Sequence, residues 1–75
     1  MEFLAESYLD IPSAQAAARL AAAAERVAIR HLRTIAVPGD ETLLAVFDAP
    51  SPEAVRHAYE VAGLSCDRIS RAESA

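Results

Sequence analysis

The spacing of apolar and polar residues along the chain predicts four strands. Residues 2–9, EFLAESYL, alternate with a period of two, as in a strand that buries one face. Two further β-compatible runs, RHLRTIAV and ETLLAVF, are separated by PGD, which has the composition of a hairpin turn. A last run, CDRISRA, is expected to form a short closing strand.

One phrase occurs twice in the chain, as DIPSAQA at residues 10–16 and as DAPSPEA at residues 48–54. Each copy follows an apolar run and precedes an alanine-containing one. The proline ends the strand because it cannot donate to a ladder, and the serine hydroxyl can accept from the free N–H groups of a first helical turn. Ser13 and Ser51 are therefore the predicted helix N-caps.

The segments after these serines have helical patterns. The first, from Ser13 to about Glu25, is rich in alanine. Its polar stripe consists of Gln15, Arg19 and Arg26, and Leu20, Ala24 and Val27 lie opposite. The second ends at Gly63 and carries an apolar stripe at Val55, Ala58, Tyr59 and Ala62. No Gly, Pro or Asn marks the turn between the first helix and the second strand, so this boundary is the least defined.

The resulting order, β-α-β-β-α-β, predicts the α+β class and a ferredoxin-like sandwich, in which a four-stranded antiparallel sheet carries both helices on one face. With 75 residues, the chain makes a single domain, residues 1–75. It has one cysteine, Cys66, which excludes an intramolecular disulfide.

Both faces of the predicted hairpin are substantially apolar. With Pro38–Asp40 as the loop, one face holds His31, Arg33, Ile35, Val37, Glu41, Leu43, Ala45 and Phe47, and the other holds Leu32, Thr34, Ala36, Thr42, Leu44 and Val46. Because two helices cover only one face, we expect a homodimer through the open sheet face. The alternative is a monomer whose apolar sheet binds a small ligand.

Charge and hydropathy exclude two kinds of partner. The net charge is −4, and the seven basic residues are all arginines that form no concentrated basic patch, so we expect no nucleic-acid binding. The N-terminus is acidic where a signal peptide would be basic, and no apolar run approaches the length of a membrane span. We expect a cytoplasmic protein with no membrane partner.

Glu6 and His31 are the ionisable residues that most need an explanation, because a charge directed at a buried sheet face is costly unless it is paired or binds a metal. Glu6 could pair with Arg33 or Arg68 at the dimer seam. Alternatively, Glu6, His31 and Glu41 provide oxygen and nitrogen ligands for a divalent metal. The chain has no local metal motif, phosphate loop or nucleophile elbow, so whether it is an enzyme stays open.

The stretch from Arg33 to Ile69 resembles a bacterial family of small ferredoxin-like proteins, a domain of unknown function grouped with an actinobacterial nickel-binding protein. The matching positions are Arg33, Thr34, Pro38, Asp40, Glu41, Ala49–Ser51, Ala62, Gly63 and Asp67–Ile69. The resemblance implies a ferredoxin-like dimer that binds a transition metal such as nickel. Leu43 and Leu44 stand where many members have Cys-Phe, so that thiolate is absent here.

Two functional hypotheses follow. The first is a small dimeric binding protein for a divalent metal such as nickel, with Glu6, His31 and Glu41 as ligands. The second is a small dimeric α+β barrel-type enzyme, monooxygenase- or isomerase-like, in which Phe3, Phe47 and Tyr59 line an apolar pocket between sheet and helices. A purely structural or regulatory module is the third alternative.

Overall fold

In a computed structural model, which describes residues 1–73, the elements follow the expected order β-α-β-β-α-β. The strands are β1 (Glu2–Tyr8), β2 (Arg30–Val37), β3 (Thr42–Asp48) and β4 (Arg68–Ala72), and the helices are α1 (Ser13–Arg26) and α2 (Pro52–Ala62). A single 3₁₀ turn, Pro38–Asp40, joins β2 to β3 within these residues.

The strands form one antiparallel sheet in the order β2-β3-β1-β4. β1 and β3 alternate strictly between buried and half-buried residues over most of their length, because α1 and α2 pack on the same side of the sheet. This arrangement confirms the predicted ferredoxin-like α+β fold. The other side of the sheet has no helix of the described residues over it and is called the open face below.

The core lies between the sheet and the two helices. Its members are Phe3, Ala5, Leu43, Ala45 and Phe47 from the strands, Ala16, Leu20, Ala23 and Ala24 from α1, and Val55, Ala58 and Tyr59 from α2. The small alanines let α1 approach the sheet closely, while Tyr59 and Phe47 are the largest fully buried side chains. Phe47 meets Tyr59 edge-on, with 5.9 Å between ring centroids.

The turn between β2 and β3 is one residue longer than the sequence pattern suggested. Val37 pairs with Thr42 instead of Glu41, and Glu41 takes a left-handed conformation with φ of 51°. Because side chains alternate along a strand, this shift moves Ile35 and Val37 to the face that Leu44 occupies. The predicted grouping of these residues with Leu43 was therefore wrong.

At the start of β2, a register irregularity between His31 and Arg33 shifts the strand pairing back by one residue. It returns His31 to the helix-covered face, where it pairs with Phe47 as predicted. The open face consequently has a continuous apolar centre, hereafter the apolar patch, consisting of Leu4, Ile35, Val37, Leu44 and Val46.

The two predicted N-caps have different outcomes. Ser51 caps α2 as expected, since its Oγ accepts a hydrogen bond from the Ala54 N–H at 3.2 Å. Ser13 is instead the first residue of α1, and the preceding Pro12 occupies the cap position without a side-chain hydrogen bond. The prediction for Ser13 was wrong by one position because proline supplies the extended backbone there but no acceptor side chain.

The junction between α1 and β2 is made by an alanine in the left-handed conformation. Ala28 has φ of 60°, its N–H donates to the Glu25 carbonyl at 3.2 Å, and the Ile29 N–H donates to the Ala24 carbonyl at 3.0 Å. This is the Schellman arrangement that also ends α2 at Gly63, with φ of 72°. Glycine adopts this conformation without strain, whereas alanine does not.

We therefore expect Ala28→Gly to raise the free energy of unfolding by about 0.5–1 kcal/mol, because relief of left-handed strain exceeds the added entropy of the unfolded chain. Gly63→Ala is the matched reverse change and should lower it by about 1 kcal/mol. A Cβ at Gly63 meets nothing within 4 Å, so its effect is purely conformational. Urea titration followed by circular dichroism measures both, and a less stable Ala28→Gly protein would contradict the strain argument.

Candidate functional site

The open face combines the apolar patch with charged residues at its borders. Ile35 in the patch is 38% exposed. Around the patch on the same face lie Glu2, Glu6, Tyr8, Arg30, Arg33, Thr42, Asp48 and Arg68. An exposed apolar centre with a polar rim is the composition of an interaction surface.

Glu6 lies on the open face in β1, between Leu44 of β3 and Arg68 of β4. Within residues 1–73, the ion pairs closer than 4.0 Å join Met1 to Asp48 and His57 to Glu60, and neither includes Glu6. Arg68 is thus a cross-strand neighbour of Glu6 without a direct ion pair in one chain. The expected ion pair across a dimer seam stays a prediction.

A cleft of about 280 Å³ opens at the Glu6 end of this face, with Tyr8, Asp40, Thr42 and Asp67 among its lining residues. The Asp67 carboxylate is already engaged, because its Oδ2 accepts from the Tyr8 N–H at 2.7 Å. Glu6 and Asp40 add two more carboxylates to the same cleft. Asp40 was not among the predicted site residues.

Glu41, the neighbouring acid, lies beside a different cavity. This cavity of about 460 Å³ is lined by residues 9–13 together with residues 36–38, Glu41 and Thr42. The Glu41 carbonyl accepts from the Leu9 N–H at 2.8 Å, so the backbone of Glu41 ties the turn to the loop before α1. Glu41 lines this cavity and Asp40 the open-face cleft, and Val37 and Thr42 line both.

His31 occupies the helix-covered face near the start of β2. Its ring lies 5.3 Å from the Phe47 ring, centroid to centroid, and its Nε2 hydrogen bonds with Thr34 Oγ1. Burial lowers the pKa of His31, and a hydrogen bond with the Arg33 backbone partly opposes this effect. The neutral imidazole that results is the form that binds metals, but it lies on the opposite face of the sheet from Glu6.

A single chain therefore does not bring the three predicted ligands together. Glu6 lies in the open-face cleft, Glu41 beside the larger cavity and His31 among the core aromatics. In the part of the chain that the structure describes, no three His, Cys, Asp or Glu side chains are close enough to hold one metal ion.

The alternative enzyme hypothesis requires an apolar pocket lined by Phe3, Phe47 and Tyr59. These side chains are 4%, 0% and 1% exposed, and Phe47 contacts both Tyr59 and the His31 ring. Because the rings pack against one another, this region favours a filled core over a substrate pocket.

The fold and the uncovered sheet define a small ferredoxin-like α+β protein. The chain belongs to the family described as nickel responsive protein SCO4226-like, whose model matches residues 6–71. The crystal structure of SCO4226 from Streptomyces coelicolor A3(2) is similar, with a TM-score of 0.85 and 24% sequence identity over 100% of this chain and 99% of that one. At this identity the structural similarity shows the fold alone. No curated protein matches the sequence.

The resemblance inferred from the sequence is thus confirmed at the level of the family. The description of the family refers to nickel. Neither helix within residues 1–73 is long and apolar enough to cross a membrane.

The pKa of His31 predicts a pH dependence of stability. Between pH 7.5 and 5.5, the unfolded chain takes up a proton at the ordinary histidine pKa of about 6.5, whereas the folded chain resists it. The free energy of unfolding should therefore fall as the pH drops below about 6.5. His31→Gln should flatten this slope, and His57→Gln, at an exposed helix position, should not.

Urea titrations of metal-free protein across this pH range measure the slope. If His31→Gln keeps the parental slope while His57→Gln loses it, the effect belongs to the exposed histidine and the argument from the burial of His31 is wrong.

Proposed function

We propose that the protein is a homodimer that binds a divalent transition metal such as nickel, and that the two copies meet through their open faces. The observation that carries the proposal is the apolar patch, which no described element of the chain covers. The family description, with its reference to nickel, supports the metal part of the proposal.

The composition of the open face supports pairing with a second copy. A two-fold axis places the same surface on both sides of the contact, so the surface must be complementary to itself. The apolar patch meets this condition at its centre. At the border, Glu6 and the arginines at positions 33 and 68 provide charges of both signs, which allows carboxylates of one copy to face guanidinium groups of the other.

The dimer is tested by light scattering at micromolar concentration, where we expect twice the chain mass of 8.0 kDa. Leu44→Glu places a charge in the apolar patch and should shift the protein to the monomer. Ala18→Glu adds the same charge at an exposed position of α1 and should leave the dimer intact. A parental mass of one chain would refute the dimer.

The metal part of the proposal rests on groups of suitable chemistry near the dimer seam. Carboxylate oxygens from Glu6 and Asp40 share the open-face cleft, and imidazole together with carboxylate is a ligand combination that suits divalent nickel. One chain supplies too few close groups, so dimerisation would complete the site. Glu6 is the proposed ligand at the seam, and Asp40 is the addition that the structure suggests. Glu41 and His31 are the other proposed ligands, but His31 lies on the helix-covered face and does not reach a seam between open faces, so it would bind nickel away from Glu6.

Native mass spectrometry of untagged protein, before and after nickel addition, tests binding, and titration calorimetry measures affinity. Loss of a ligand should weaken nickel binding about tenfold or more, which we expect for Glu6→Gln, His31→Gln, Glu41→Gln and Asp40→Asn. Glu53→Gln, at an exposed position in the first turn of α2, is the control and should bind like the parent.

Each variant tests whether one residue is a nickel ligand. A variant with parental affinity removes its residue from the site. A parental dimer that takes up no nickel would overturn the metal proposal and leave the dimer proposal standing.

A further inference from the structure

The larger cavity, of about 460 Å³, lies between the loop before α1 and the turn that joins β2 to β3. Its volume falls within the range of about 300–1,000 Å³ that is usual for small-molecule sites. The hydrogen bond from the Leu9 N–H to the Glu41 carbonyl joins the two sides of the cavity. The cavity is therefore formed before any ligand binds.

Most side chains that line the larger cavity are apolar. They come from both sides of it and comprise Leu9, Ile11, Pro12, Ala36, Val37 and Pro38. None of them is aromatic, so the walls suit an alkyl chain, which gains free energy by leaving water. The walls thus define an aliphatic ligand.

Two carboxylates on the lining of this cavity are free to bind a ligand. The Thr42 hydroxyl is occupied, because it donates to the Asp40 carbonyl at 3.1 Å. Asp10 and Glu41 take part in no ion pair closer than 4.0 Å within residues 1–73. No arginine or histidine of these residues lines the cavity. A cationic group on the ligand therefore meets two acceptors and no charge of its own sign.

The charges around the larger cavity favour a cation over an anion. Four acids lie in the loops at this end of the sheet, namely Asp10, Asp40, Glu41 and Asp67. The other seven acids equal the seven arginines in number, so these four account for the whole net charge of −4. The N-terminus of α1, which begins beside the cavity at Ser13, has the opposite sign but carries only about half a charge. The full charges of the carboxylates outweigh it and attract cations.

We propose that the larger cavity binds a primary alkylamine in its ammonium form, with the alkyl chain against the apolar walls and the ammonium group paired with Asp10 and Glu41. An ammonium group has three N–H donors, which the two carboxylates and the Ser13 hydroxyl can accept. Both acids are exposed, so the charged group stays at the water-accessible rim while the chain is buried. The site requires both properties in one molecule, and it selects against alkyl alcohols and alkyl carboxylates.

The test is an NMR titration of isotope-labelled, metal-free protein with n-hexylamine, n-hexanol and hexanoate, in the presence of a chelator. Hexylamine should bind with a Kd of about 1 mM or below and shift amide signals of residues 9–13 and 36–42. Hexanol should bind about tenfold more weakly, and hexanoate more weakly still. The proposal is overturned if hexylamine leaves these signals unchanged, or if hexanol binds as tightly as hexylamine.

Variants separate the contribution of the charges from that of the apolar walls. Asp10→Asn and Glu41→Gln should each weaken hexylamine binding about threefold at low salt and leave hexanol binding unchanged. Glu25→Gln, at an exposed position of α1, is the control and should bind hexylamine like the parent. Ala36→Leu places a larger side chain on the cavity wall and should weaken the binding of hexylamine and hexanol alike.

The dispersion of the amide signals establishes that each variant folds, and if one charge variant does not, the other decides. Parental hexylamine affinity in the folded charge variants would refute the pairing of the ammonium group with these acids.

An alkylammonium group also ends the side chain of lysine, so the free amine is compared with Nα-acetyl-lysine N-methylamide. The walls of the cavity are apolar, and the two amide groups of this compound should make it bind more weakly than hexylamine. If it binds more tightly, the ligand is a lysine of a polypeptide and the assignment to a free alkylamine is wrong. Because no nickel is present, every outcome is independent of the proposed metal binding.

Discussion

Two helices can cover only one face of a four-stranded sheet, and the properties of this protein depend on what the other face carries. On the helix-covered side, aromatic and small side chains are buried and pack densely. The opposite side keeps a cluster of branched aliphatic side chains in contact with water, at a free-energy cost that a second surface would remove. Glu6, Arg33 and Arg68 border this cluster, so a second surface that covers the cluster would also contact these charges.

Most of the fold can be predicted from local signals. The repeated Asp-x-Pro-Ser phrase ends two strands and begins two helices, and the alternation in β1 places Glu6 on the correct face. The signals fail where the backbone departs from the usual residue preferences. Ala28 and Glu41 both adopt left-handed conformations, in which glycine is the usual residue. Because neither position is a glycine, the sequence does not reveal the α1 to β2 junction or the length of the hairpin turn.

The candidate site is less predictable than the fold because it depends on those same departures. One extra residue in the turn takes Glu41 out of the strand ladder and moves Ile35 and Val37 to the open face, and one irregularity in β2 determines which side of the sheet receives His31. Each is a shift of a single residue, and each moves a side chain from one face to the other. A sequence pattern identifies the residue types suited to metal binding but cannot determine which of them meet.

The strand order has a consequence for how the protein is made. β1 is synthesised first but lies in the interior of the sheet, where it pairs with β3 and with β4, which ends at Ala72. Until that residue has left the ribosome, one edge of β1 stays available for pairing with another nascent chain. Long-range pairing of this kind is also slow to form. The nascent protein thus exposes an unpaired strand edge for a longer part of its synthesis than a helical domain of equal length.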